Sequence, residues 1–200
     1  MIRYLALGDS YTIGEQVLLT ASFPYQLVQL ARKNGMAMAA PEIIARTGWT
    51  TDELQEAMED YQFQAPYDLV SLLIGVNNQY RARTTEEYAV QFRQLLARAV
   101  ELAGGAKERV IVLSIPDWGV TPFAADRNRK EIAIAIDSFN KINQQLAGEQ
   151  AVGYIDITPG SREAATDSSL VAADGLHPSA KEYRRWAESM FAYLSQKNGG

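Results

Sequence analysis

The chain contains no cysteine. That absence removes disulfides, thiolate nucleophiles and cysteine-based zinc sites together. Histidine is nearly missing as well: His177 is the only one in 200 residues. A zinc site would have to be built mostly from carboxylates, which zinc proteins seldom use alone. No EF-hand or P-loop spacing marks an oxygen-only metal site or a nucleotide site. No metal and no cofactor are therefore expected. Basic charge is also short, with 19 Lys and Arg against 24 Asp and Glu and a net charge of -5. Nucleic-acid binding, which wants a basic stripe, is not expected, and Arg81 and Arg83 read as solvated surface arginines. No run approaches the ~20 apolar residues of a membrane span, so stable membrane insertion is not expected. Met1-Ile2-Arg3 leads straight into Tyr4-Leu5-Ala6-Leu7, too short for a secretory apolar region. A cytoplasmic location is the default expectation, a leader removed beforehand aside.

What is present has an ordinary globular balance, 47% apolar and 22% charged. The length suggests one domain over residues 1–200, burying roughly 70% of the surface its unfolded chain exposes. Short apolar runs predict strands over residues 2–7, 42–45, 69–74, 109–115 and 152–157. Between them lie helical patterns. One covers residues 23–33 with Ser22 as N-cap. Another runs from the capping box Thr50-Thr51-Asp52-Glu53 to about Glu59. A second box, Thr84-Thr85-Glu86-Glu87, precedes Tyr88, Phe92, Leu95, Ala99 and Leu102 at helical spacing, stopped by Gly104-Gly105. Residues 129–146 carry Ile132, Ile136, Phe139, Ile142 and Leu146 at the same spacing. A third box, Ser179 to Glu182, opens a last helix that buries Tyr183, Trp186, Met190 and Leu194. Gly199-Gly200 reads as a frayed end. Nearly continuous apolar strands alternating with helices imply a parallel sheet covered on both faces. With right-handed crossovers the expected architecture is an α/β, three-layer α/β/α flavodoxin-like sandwich with a five-stranded parallel sheet of order 2-1-3-4-5.

Ligands in such sheets bind beyond the carboxyl ends of the strands. Gly8-Asp9-Ser10 follows the first strand, Arg46-Thr47-Gly48 the second and Gly75-Val76-Asn77-Asn78 the third. Asp174-Gly175-Leu176-His177 precedes the last helix. All four segments can converge on one cleft. Serine is a weak nucleophile at neutral pH and needs a neighbouring base, and His177 is the only histidine available. Ser10 would attack a carbonyl carbon, His177 would take and return its proton, and Asp174 would hold the imidazole tautomer. The oxyanion donors would be the N–H groups of Ser10 and Gly48 and the side-chain amide of Asn77. Asp9 reads instead as a turn residue, and Asp156, at the end of the fifth strand, is the rival to Asp174.

These residues carry a resemblance. ALGDSYTIG (Ala6 to Gly14), RTGWTTDEL (Arg46 to Leu54), LIGVNN (Leu73 to Asn78) and DGLHPS (Asp174 to Ser179) together resemble the SGNH hydrolases of the GDSL esterase/lipase family. The resemblance spans about residues 1 to 180. It implies the flavodoxin-like sandwich and hydrolysis of carboxylic esters through an acyl-enzyme. It assigns the triad to Ser10, Asp174 and His177 and the oxyanion hole to Ser10, Gly48 and Asn77. One position departs: Asn78 stands where the family commonly has Asp, which leaves the Asn77 amide intact but puts local loop hydrogen bonding in question.

The substrate is less legible. Tyr11, Trp49, Tyr80, Trp118 and Phe123 are the candidates to line a substrate pocket, with loop packing as the competing role. The expected partner is a small-molecule acyl ester with a small or medium chain, as in a lysophospholipase or general esterase. A carbohydrate O-acetylesterase, an acyl-thioesterase and a non-catalytic binding module are the alternatives. Oligomeric state is not readable.

Overall fold

The structure is a computed structural model that describes residues 1–198; the expected frayed end at Gly199-Gly200 lies outside them. In chain order the elements are β1 (Tyr4–Gly8), α1 (Ser10–Ile13), α2 (Phe23–Lys33), β2 (Glu42–Ala45), α3 (Thr51–Asp60), β3 (Leu69–Leu73), α4 (Val76–Tyr80), α5 (Thr85–Leu102), β4 (Val110–Leu113), α6 (Arg129–Gln150), β5 (Gly153–Ile155), α7 (Thr158–Ser161) and α8 (Ala180–Asn198). The five strands form one parallel sheet of order β2-β1-β3-β4-β5, as the alternation of apolar runs and helices predicts.

Every residue of β1, β3 and β4 is buried. Successive side chains of a strand point to opposite faces, so burial of all of them requires a helical layer on each side. Two helix groups meet that need: α2 packs against α8, while α5 packs against both α3 and α6. On α8 the predicted face is in place, with Tyr183, Trp186 and Met190 buried and Leu194 partly buried.

The departures have local causes. Strands are shorter than the apolar runs, because pairing stops before burial does. Ile2 makes only an isolated parallel bridge to Met38. Ser22 occupies the N-cap position of α2, but its hydroxyl donates to Leu19 O at 2.8 Å, closing the preceding turn instead of capping. The three boxes differ in completeness. Glu53 accepts from Thr50 N–H at 2.8 Å. Thr84 Oγ1 accepts from Glu87 N–H at 3.2 Å, yet the Glu87 carboxylate turns to Arg83 at 2.7 Å. Glu182 likewise turns to the buried Trp186 Nε1–H at 2.8 Å. In the third box the N-cap amide is already engaged, Ser179 N–H donating to Leu170 O at 2.8 Å, which leaves Glu182 free for the indole. The short helices α1, α4 and α7 are absent from the sequence reading, since four or five residues carry no periodicity. Two of them turn out to shape the site.

Candidate active site

At the end of β1 the chain has no room for a side chain: a Cβ on Gly8 would come within 2.1 Å of Thr12 Oγ1 and 2.3 Å of Leu73 O. Glycine there lets β1 pass straight into α1. Asp9 caps that helix, its Oδ1 accepting from Tyr11 N–H at 3.0 Å. It is thus the turn residue expected, and it is fully buried. Burial pushes its carboxyl up to about 7, although the backbone N–H groups it binds pull the other way. Ser10 follows as the first residue of α1.

His177 approaches from the opposite end of the sequence. Its Nε2 lies 3.0 Å from Ser10 Oγ, and its Nδ1 lies 2.5 Å from Asp174 Oδ2. Asp174 is itself fixed, because its Oδ1 accepts from the N–H groups of Leu176 and His177, each at 3.0 Å. Partial burial raises the Asp174 carboxyl, but the hydrogen bonds from the His177 ring and those two amides outweigh it and hold the group below the ordinary carboxylate value. The segment is tied down by Ala172 N–H donating to His177 O at 2.7 Å. With Nδ1–H directed at a carboxylate, Nε2 presents a lone pair to the serine. Asp156 takes no part. It is exposed, and its Oδ1 accepts from Ser114 Oγ at 2.9 Å and Thr158 N–H at 3.1 Å.

The third part of the site is the loop after β2, held by α4. Gly48 adopts a left-handed φ of 85°, a conformation that costs a residue with a side chain roughly 1–2 kcal/mol. Asn77 Nδ2 donates to Trp49 O at 2.9 Å. Asn78 is fully buried, donates from Nδ2 to Thr51 Oγ1 at 2.7 Å and accepts at Oδ1 from Thr51 N–H at 3.1 Å. Arg81 Nη2 donates to Gly48 O at 2.6 Å, while its Nη1 reaches Glu53 at 3.3 Å. The reading of Arg81 and Arg83 as merely solvated is therefore corrected: Arg81 binds the Gly48 backbone, and Arg83 bridges Asp52 and Glu87. Nothing in the residue types marks this, since the acceptor of Arg81 is a carbonyl.

Ser10, Gly48, Asn77 and His177 line one cavity of about 200 Å³. Of the five candidate substrate residues, Tyr11, Tyr80, Trp118 and Phe123 line it too. Trp49 does not. After the turn at Gly48 its side chain packs against the core, and what it offers the site is its carbonyl. Thr47, Val76 and Leu176 also line the cavity and were passed over, although each sits inside or beside a motif. Larger cavities exist, one of about 500 Å³ beside Met1, Met38 and Arg109, so chemistry and not volume singles out this one. Among the described residues no group of three or more His, Asp or Glu side chains could hold a metal ion, and no helix is long and apolar enough to cross a membrane.

Comparison with known proteins gives the family and the fold. The model of the GDSL-like Lipase/Acylhydrolase family matches residues 6–185. No curated protein sequence matches the chain. Among solved structures, TesA superposes with a TM-score of 0.75 at 17% identity, over 96% of this chain and 97% of that one. The psychrotrophic esterase EstA from Pseudoalteromonas sp., inhibited by monoethylphosphonate, superposes at 0.75 and 14% identity over 100% of both chains. The acetylxylan esterase Axe2 from Geobacillus stearothermophilus gives 0.73 and 19% identity over 96% of this chain and 94% of that one. At these identities the superpositions establish the shared fold.

Proposed function

The chain belongs to the GDSL-like lipase/acylhydrolase family and is a carboxylic ester hydrolase; from that premise we propose that it works through a Ser10–His177–Asp174 triad and an acyl-enzyme, on esters of small or medium acyl chains. The observation that carries the reading is the unbroken line from Asp174 Oδ2 through His177 to Ser10 Oγ, with contacts of 2.5 and 3.0 Å.

In the proposed reaction Ser10 Oγ attacks the ester carbonyl carbon as His177 Nε2 takes its proton. Asp174 keeps Nδ1–H in place and offsets the imidazolium charge. The oxyanion meets the N–H groups of Ser10 and Gly48 and the side-chain amide of Asn77, whose Nδ2 donates to Trp49 O at 2.9 Å and more weakly to Asp9 Oδ2 at 3.5 Å, the longer contact being the one an oxyanion would replace. Removing one such donor typically costs about 3–4 kcal/mol of transition-state stabilisation. The tetrahedral intermediate collapses, and His177 returns the proton to the departing alcohol. A water molecule, deprotonated by the same imidazole, then attacks the acyl-enzyme and releases the acid.

A second reading keeps the site and changes the substrate to an acetylated carbohydrate. The small cavity and the fold shared with an acetylxylan esterase favour it. The deciding experiment measures hydrolysis of p-nitrophenyl acetate, butyrate and octanoate by the parent and by Ser10→Ala, with acetate release from acetylated xylan and hydrolysis of acyl-CoA alongside. Turnover lost with Ser10 supports the triad, and the preferred substrate sorts ester, sugar acetate and thioester. A folded parent that turns over nothing and takes no fluorophosphonate label at Ser10 would instead mark a ligand-binding module.

A further inference from the structure

We propose that Trp118 is the partition that limits acyl length in this site, and that the groove behind it, with its apolar stretch on α6, is a latent extension of the same pocket. This rests on the ester-hydrolase reading above. The cavity that holds Ser10 and His177 shares two walls, Tyr80 and Trp118, with an open groove of about 620 Å³. On α6 the groove has an apolar stretch, Ile132, Ala135 and Phe139, while Gln79, Arg83, Arg127, Asn128 and Glu131 line much of the rest of it. Trp118 thus stands between the reacting atoms on one side and the apolar stretch of that groove on the other.

The partition is held from several directions. Trp118 Nε1 donates to Gln79 Oε1 at 2.7 Å, which ties the indole to α4. The rings of Tyr80 and Phe123 meet it edge-on at 5.4 and 6.0 Å. Its backbone turn is fixed by the buried Asp117, which accepts from Gly119 N–H at 2.9 Å and from Arg162 Nε at 2.9 Å. Thr121 Oγ1 donates to Trp118 O at 2.7 Å. The indole cannot swing aside without breaking the Gln79 bond.

The cavity on the Ser10 side is the smaller of the two. At about 200 Å³ against about 620 Å³, it has much less room for a chain than the groove beyond Trp118. Val76, Leu176 and Phe123 give that space apolar walls, which suit an acyl tail better than a polar alcohol. A longer tail must pass the plane of Trp118.

The test compares p-nitrophenyl esters from acetate to dodecanoate with the parent, Trp118→Ala, Trp118→Leu and Trp118→Ala/Ala135→Trp. Opening the wall should raise the dodecanoate-to-butyrate ratio of kcat/KM by about 10-fold or more, a range that one or two methylenes in an apolar pocket can supply. Refilling the groove through Ala135→Trp should reverse the gain. Trp118→Leu, which keeps an apolar side chain there, guards against misfolding of the alanine variant. A ratio unchanged in both single variants, or a gain that Ala135→Trp leaves intact, overturns the partition. Dodecanoate binding to Ser10→Ala and to Ser10→Ala/Trp118→Ala, measured by calorimetry, separates the two claims. If no ester is hydrolysed the hydrolase reading falls, while tighter dodecanoate binding without Trp118 still supports the partition and equal binding overturns it.

Discussion

Asn78 and Thr51 grip each other at both ends: the Asn78 amide donates to the threonine hydroxyl and accepts from the threonine N–H, at 2.7 and 3.1 Å. Thr51 passes its own hydroxyl proton on to Gln91 Oε1. The donors and acceptors form a consistent series from α4 through α3 to α5. The departure from the family's usual Asp is therefore matched by its surroundings. An aspartate could not donate to Thr51, and its charge would be fully buried.

Asn78→Asp should accordingly destabilise the protein by about 1–3 kcal/mol, the cost of a mismatched buried polar group. Thermal melting at neutral pH checks this. Because Asn77 sits on the same short helix, kcat should fall with stability. An unchanged melting temperature would mean that the amide is not needed.

Asp174→Asn tests the tautomer. The asparagine can keep the acceptor that binds the Leu176 and His177 amides, but it can offer its NH2 to the imidazole. Nδ1 then becomes an acceptor, Nε2 carries the proton, and Ser10 loses its base. The expected loss in kcat is about 10³- to 10⁴-fold with little change in melting temperature. Asp156→Asn, outside this line of contacts, should keep near-parent turnover.

Arg81 is a positioning residue in this scheme. Its guanidinium fixes the Gly48 carbonyl, and with it the orientation of the neighbouring peptides that face the substrate. Arg81→Ala should lower kcat about 10-fold, the value of one charge-assisted hydrogen bond, while KM changes little. Arg81→Lys should recover part of the loss. A rise in KM alone would assign the side chain to substrate binding instead.

Asp9 predicts a pH dependence of stability. Its carboxyl is pushed from 3.8 to about 7 by burial, so the folded state favours the protonated form. That contribution is fully present below pH 3.8 and is lost as pH rises through about 7. A shift of this size is worth about 4 kcal/mol. Asp9→Asn, which keeps an oxygen for Tyr11 N–H, should be more stable than the parent at pH 8 and nearly equal to it at pH 4. Urea midpoints at the two pH values give the comparison. A difference independent of pH would place the protonation elsewhere.

The sheet order and the main helices were legible because burial on both faces writes itself into apolar runs and three- to four-residue spacing. As candidates, Ser10, Gly48 and Asn77 were legible because each follows the end of a strand, and Asp174 and His177 because they come just before the last helix. The contributions of Arg81 and Trp49 were not. Both act through backbone carbonyls, which every residue possesses, so no side-chain pattern announces them. Asn78 stands out in the sequence only as a departure, since its partner Thr51 lies 27 residues away, and Gln91, which Thr51 binds in turn, meets that pair only in the folded chain. The short α1 and α4 escaped for want of length. The glycine before each, Gly8 and Gly75, was visible without the turn that follows it.

Ser10 and His177 are separated by 167 positions, and β1, which delivers the serine, lies inside the sheet between β2 and β3. The imidazole arrives only when the segment before α8 docks, a docking shared by Gln26 Nε2 donating to Ala180 O at 2.9 Å. The two halves of the proposed Ser–His pair thus come from the first strand of the sheet and from the segment before α8. Esterolysis by that pair therefore waits on the folding of everything that lies between the two residues, so the sheet has to form before the chemistry can.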